Sequence, residues 1–91
     1  MQIQTTVNVW KEDNIYIAHA MPIDVASAGD SPAQARSALN EAVELFVETA
    51  KAAGTLDELL LEAGYEKHAE HDPIVWHAPH ILEHTQDLVT V

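Results

Sequence analysis

The sequence predicts an α+β domain in the order β-β-β-α-α-β, a mostly antiparallel sheet with helices packed on one face. Three observations predict it. The first ten residues alternate apolar and polar side chains with a period of two, as a strand with one buried face does. Two stretches opening at Ser31 and Thr55 carry helix-start residues, followed by apolar side chains at three- and four-residue spacing. The 91 residues contain no internal repeat and no linker, which is room for one domain, residues 1–91.

The elements follow in order. In "MQIQTTVNVW", Ile3, Thr5, Val7 and Val9 form one side and Gln2, Gln4, Thr6 and Asn8 the other. Trp10 ends this strand and is expected in the core. "KEDN" reads as a polar turn and "IYIAHAMP" as a second strand stopped by Pro22, the two pairing as a hairpin. "DVASAG" is a third short strand. Ser31 then fits an N-cap, Pro32 the first helical position, and Gln34 the far end of a capping box. The helix buries Ala35, Ala38, Leu39, Ala42, Val43, Phe46 and Ala50, and stops at Gly54. A second helix repeats the pattern, with Thr55 as N-cap, Glu58 as its capping-box partner, Leu56, Leu59, Leu60 and Ala63 as the buried stripe, and Gly64 as the stop. Beyond it, "YEKHAEHD" and "PIVWHAP" each have room for a short strand, and "DLVTV" reads as a terminal one.

Composition narrows the function. No cysteine is present, which removes disulfides, thiol catalysis and cysteine-based zinc sites, and fits a reducing compartment. No apolar run reaches the roughly 18 residues of a membrane span, and the N-terminus has no signal-peptide pattern, so the expected location is cytoplasmic. Fifteen acidic residues against four basic ones (Lys11, Arg36, Lys51, Lys67) give a formal net charge of −11. Direct nucleic-acid binding needs clustered Lys and Arg and is not expected. The acidity suits either a basic partner met by electrostatic steering or simple solubility.

The residues "YIA" (16–18), "GDSP" (29–32), "NEAVEL" (40–45) and "GTLDELLLEAGY" (54–65) resemble, in order and spacing, the HicB-like antitoxins of toxin–antitoxin pairs. The resemblance covers residues 1–65; residues 66–91 form a His-rich tail with one or two strands. It implies a partial RNase H-like fold. It also implies a function: binding and neutralising a small basic HicA-like toxin that degrades RNA, by occluding the toxin's RNA-binding face. Members of the family often carry a C-terminal DNA-binding segment. Here the tail after residue 65 has one lysine and no arginine, so no DNA-binding module is expected. The second function considered is a stand-alone metal- or small-molecule-binding module of the same fold.

Candidate partner-binding residues are Glu41, Glu44 and Glu48 on the outer face of the first helix, and Trp76, which could be either an interface anchor or a core residue. No catalytic residue is expected. Nucleases of the RNase H-like fold hold two divalent metals about 4 Å apart on clustered carboxylates, whereas the first strand here offers Thr5, Thr6, Val7 and Asn8. Five histidines crowd into residues 68–84, and "HAEH" and "HAPH" have a three-residue spacing that on a helix would suit zinc or nickel. Pro73 and Pro79 argue instead for an extended tail, in which positions i and i+3 diverge. His68, His71, His77 and His80 are therefore candidate ligands set against a plainer reading as a solvated polar tail, and no cofactor is expected. His19 reads as a satisfied sheet residue. Unpaired strand edges predict a homodimer or a higher even-numbered assembly.

Overall fold

A computed structural model describes residues 1–90 and shows an α+β fold. Its elements are β1 (Gln2–Ile3), β2 (Thr6–Glu12), β3 (Ile15–Met21), β4 (Val25–Gly29), α1 (Pro32–Ala53), α2 (Leu56–Glu62), β5 (Glu66–His68) and β6 (Val75–His77). The strands form two three-stranded sheets, β2-β3-β4 and β1-β6-β5. All pairings are antiparallel except β1 with β6. No helix among the described residues is long and apolar enough to cross a membrane.

The continuous strand expected over the first ten residues breaks at Gln4 and Thr5. Its cause is a change of hydrogen-bond partner. The Gln2 amide donates to the Ile74 carbonyl at 2.8 Å and the Gln4 amide to the Trp76 carbonyl at 3.0 Å. The Gln4 carbonyl accepts from the Tyr65 hydroxyl at 2.7 Å, and its side-chain oxygen from the Ala78 amide at 2.9 Å. Gln4 is thus bound to the C-terminal third of the chain, and pairing with β3 begins only at Thr6.

The β2–β3 hairpin is tighter than the expected four-residue link. Pairing runs to Glu12 opposite Ile15, leaving Asp13 and Asn14 as the turn. Asp13 takes φ 53°, a left-handed conformation in which Asp is enriched. Helix α1 starts as expected: Ser31 is extended, and its Oγ accepts from the Gln34 amide at 3.1 Å. The Gln34 side chain accepts from the Asp30 amide at 3.0 Å, one residue earlier than in a regular capping box. Gly54 closes the helix at φ 73°. The second capping box does not form. Thr55 has φ −111° and ψ 0° and makes no side-chain cap bond; its amide and hydroxyl both point to the Ala50 carbonyl, finishing α1 rather than starting α2. In α2, Leu56 and Leu60 are buried but Leu59 is exposed, and Ala63, just past the helix end, is half-buried.

Two cores result. Ala18 and Ala20 of β3 meet Ala35 and Leu39 of α1, with Val7, Val9, Tyr16, Val25 and Val43 around them. The small side chains let helix and sheet approach closely. Ala50, Leu56, Leu60, Tyr65 and Trp76 form the second core, where the end of α1 and the Leu56–Leu60 side of α2 pack against the β1-β6-β5 sheet. Ile23 packs against both.

Two expectations about the ends fail. Residues 87–90 of the "DLVTV" stretch form no strand and are exposed; no edge of either sheet takes them up, and Val91 lies outside the described residues. Trp10 is 43% exposed and outside the core. The register explains it: Val7 and Val9 face α1, so a residue of even number on β2 faces the other way.

Candidate functional site

Helix α1 lays its buried residues, Ala35, Leu39 and Ala50, along one side. Glu41, Glu44 and Glu48, at three- and four-residue spacing, share the opposite side, and all three are exposed. Among the described residues none of them joins an ion pair, and the one lysine–carboxylate pair there is Lys67 with Asp57, at 2.9 Å. The helix therefore presents a row of free carboxylates.

The β2-β3-β4 sheet has a second face that sequence reasoning missed. Since α1 covers one side, the opposite parity faces outward: Thr6, Asn8, Trp10 and Glu12 on β2, Ile15, Ile17, His19 and Met21 on β3, and Ala26 and Ala28 on β4. Trp10 pairs with Ile17 across the strands, and Ile15 and Met21 are each 42% exposed. His19 is held in this face by a 2.6 Å bond from Nε2 to Asp24 Oδ1 and by an edge-on contact with the Trp10 ring, at 6.3 Å between centroids. Ile81, Glu83 and Thr85 border its Thr6–Met21 end. The signal was available, because "IYIAHAM" is apolar at both parities, as a strand with two apolar faces is.

Trp76 is 1% exposed and is the largest fully buried side chain. It is a core residue and not a surface anchor, which corrects its place among the partner-binding candidates. Parity on β6 turns its indole into the second core and leaves His77 on the outside. Lys67, its cross-strand neighbour, holds Nζ 5.5 Å from the indole centroid.

The histidines come together more than an extended tail would allow. Strand β5 ends at His68, and a turn brings the His71 amide to 3.4 Å from the His68 carbonyl. This turn is why the i, i+3 pair does not diverge. His68 Nδ1 is 2.9 Å from Glu70 Oε1, and His71 Nε2 is 3.8 Å from the same oxygen. His68 Nε2 is 3.7 Å from Glu66 Oε2. The His77 ring packs on the His68 ring, centroids 4.3 Å apart. The hydrogen bond from its own backbone amide, then the one from His68, holds the Glu70 carboxyl below the usual carboxylate range. His80 lies in a separate shallow cleft with Gln4, Gly64 and Pro79.

These features describe an acidic α+β domain with one uncovered sheet face that is apolar around Trp10 and along β3, a free carboxylate row on its long helix, and a histidine hairpin. No family model, no curated protein and no solved structure matches the chain.

Proposed function

We propose that this chain is a HicB-like antitoxin domain that neutralises a small basic RNA-degrading toxin by covering its RNA-binding face. The observation that carries the proposal is the free carboxylate row Glu41–Glu44–Glu48, in a chain of formal net charge −11. Carboxylates without an intrachain partner are available to a basic surface at little cost in broken contacts. The β2-β3-β4-α1 succession supports the partial RNase H-like architecture that goes with this reading, in which a helix crosses an antiparallel hairpin and its third strand. The apolar outer face around Trp10 and Ile17, together with the free edges of β2 and β4, supports assembly into a homodimer or a higher even oligomer in the cytoplasm.

The test is reconstitution. The chain is co-expressed with a small basic RNA-degrading protein of the HicA-like class, the complex is purified, and RNA cleavage is measured with and without the chain. We expect a stoichiometric complex and loss of cleavage. Glu41→Lys, Glu44→Lys and Glu48→Lys together should restore cleavage while the fold survives. Cleavage that continues at saturating chain would refute the proposal.

A further inference from the structure

The β5–β6 hairpin carries a side-chain cluster that the antitoxin reading does not use. We propose that His68, Glu70 and His71 form a binding site for a borderline divalent transition cation, Zn2+ foremost, with His77 as the fourth ligand.

The geometry comes first. One ligand atom from each of His68, Glu70 and His71 lies within 4.8 Å of the others. A tetrahedral zinc with bonds of about 2.0–2.1 Å places its ligand atoms roughly 3.3 Å apart. The separations of 2.9 Å from His68 Nδ1 to Glu70 Oε1 and 3.8 Å from His71 Nε2 to the same oxygen bracket that value. Small side-chain adjustments would admit the ion. The approach of the two imidazoles is set by main chain, since the His71 amide closes the turn on the His68 carbonyl.

The surroundings suit a cation. His68 has a carboxylate near each ring nitrogen, Glu70 at Nδ1 and Glu66 at Nε2. Metal-bound histidines characteristically give their second ring N–H to a carboxylate, which fixes the tautomer and makes the ligating nitrogen more basic. With Nδ1 turned to the ion, Glu66, 3.7 Å from Nε2, needs only a small side-chain movement to take that role for His68. The hairpin's one lysine, Lys67, projects from the opposite face toward Trp76 and Asp57, so no ammonium competes for the site. Two or three imidazoles with one carboxylate suit zinc, and also nickel or copper, whereas magnesium and calcium take oxygen ligands. His77, stacked against the His68 ring, lies outside the group whose ligand atoms converge within 4.8 Å and would complete the coordination sphere by turning its ring toward the ion.

The experiment uses the full chain without an affinity tag. Zn2+ and, separately, Mg2+ are titrated calorimetrically, and thermal unfolding is followed with each. We expect one Zn2+ per chain, a raised unfolding midpoint and no response to Mg2+. His68→Ala, His71→Ala and Glu70→Gln should each weaken Zn2+ binding at least tenfold, whereas His80→Ala with His84→Ala should leave it unchanged. Glu70 is exposed, so Glu70→Gln carries the test even where a histidine variant folds poorly. Absence of Zn2+ binding at about 100 μM, or binding that survives Glu70→Gln and His71→Ala, overturns the site. Unchanged affinity in His77→Ala overturns the assignment of the fourth ligand. The result is independent of toxin neutralisation, which the metal-free chain can be tested for separately.

Discussion

Adding one methyl group at Gly29 should separate helix α1 from strand β4. A Cβ built on Gly29 would lie 2.5 Å from the Ala35 amide nitrogen, 2.7 Å from the Gln34 carbonyl carbon and 2.8 Å from Gln34 Cβ. The two nearest atoms are backbone, so no rotamer change relieves them. To reach ordinary contact, the last residue of β4 and the first turn of α1 must part by roughly 1 Å, and overpacking of this kind costs about 1–3 kcal/mol. The same shift moves the two amides that cap the helix, Gln34 N on Ser31 Oγ and Ala35 N on the Ser31 carbonyl, and a lost cap adds about 1 kcal/mol. Gly29→Ala should therefore destabilise by about 2–4 kcal/mol, against a total of about 5–14 kcal/mol for a domain this size. The unfolding midpoint should fall by roughly 10–25 °C. Gly54→Ala is the control: Gly54 has φ 73° with no atom within 4 Å of an added Cβ, so only the left-handed backbone penalty of about 1 kcal/mol applies. Urea titration of both variants, at constant m-value, measures the difference. Gly29→Ala within about 0.5 kcal/mol of wild type, or costing less than Gly54→Ala, would refute the close approach.

Other expectations concern charge, pH and the two tryptophans. Burial pushes the Tyr65 hydroxyl above its ordinary value; a raised folded value means stability present below about pH 10 and lost as pH climbs through the folded one. Tyr65→Phe should cost about 1 kcal/mol at neutral pH through the lost bond to the Gln4 carbonyl and flatten that alkaline decline in a denaturation series. Trp10→Ala should cost under about 1 kcal/mol and weaken self-association in sedimentation, whereas Trp76→Ala should cost about 3–5 kcal/mol; equal costs would contradict the assigned faces. If the carboxylate row steers a basic partner, association should slow as salt shortens the reach of the field to about 8 Å near 0.15 M, and a salt-independent rate would point to the apolar sheet face.

What could be read from sequence is what depends on neighbours along the chain. Ser31, Pro32 and Gly54 mark the ends of α1 because capping is settled within four residues, and the period-two pattern over Thr6–Val9 marks β2 for the same kind of reason. Long-range partners were illegible. Nothing in "MQIQTT" says that Gln4 will bond Tyr65, Trp76 and Ala78, so one strand was expected where two sheets meet. Trp10 was misplaced despite a visible parity, because hydrophobicity was weighed above register. At the candidate sites, the solvent-facing row Glu41–Glu44–Glu48 followed from helical spacing alone. The meeting of His68 with His71 did not, since it depends on the turn that closes after β5.

The two faces of the β5–β6 hairpin connect the second core to the histidine cluster. On β6 the buried indole of Trp76 alternates with His77, and on β5 Lys67, above that indole, alternates with Glu66 and His68. Each strand has only three residues, so few ladder bonds hold the hairpin, and β1, two residues long, depends on β6 for its pairing. A unit with so few hydrogen bonds opens more readily than the β2-β3-β4 sheet. An ion held by His68, Glu70 and His71 would tie the end of β5 to the turn that leads to β6, and a His77 ligand would add β6 itself. Trp76 is the neighbour of His77 along the same strand, so fixing one restrains the other. Metal binding should then register most strongly as slowed amide exchange in β1, β5 and β6, with the exchange of β3 and α1 left as it was. Uniform slowing across the chain would instead mean that the two cores unfold as one unit.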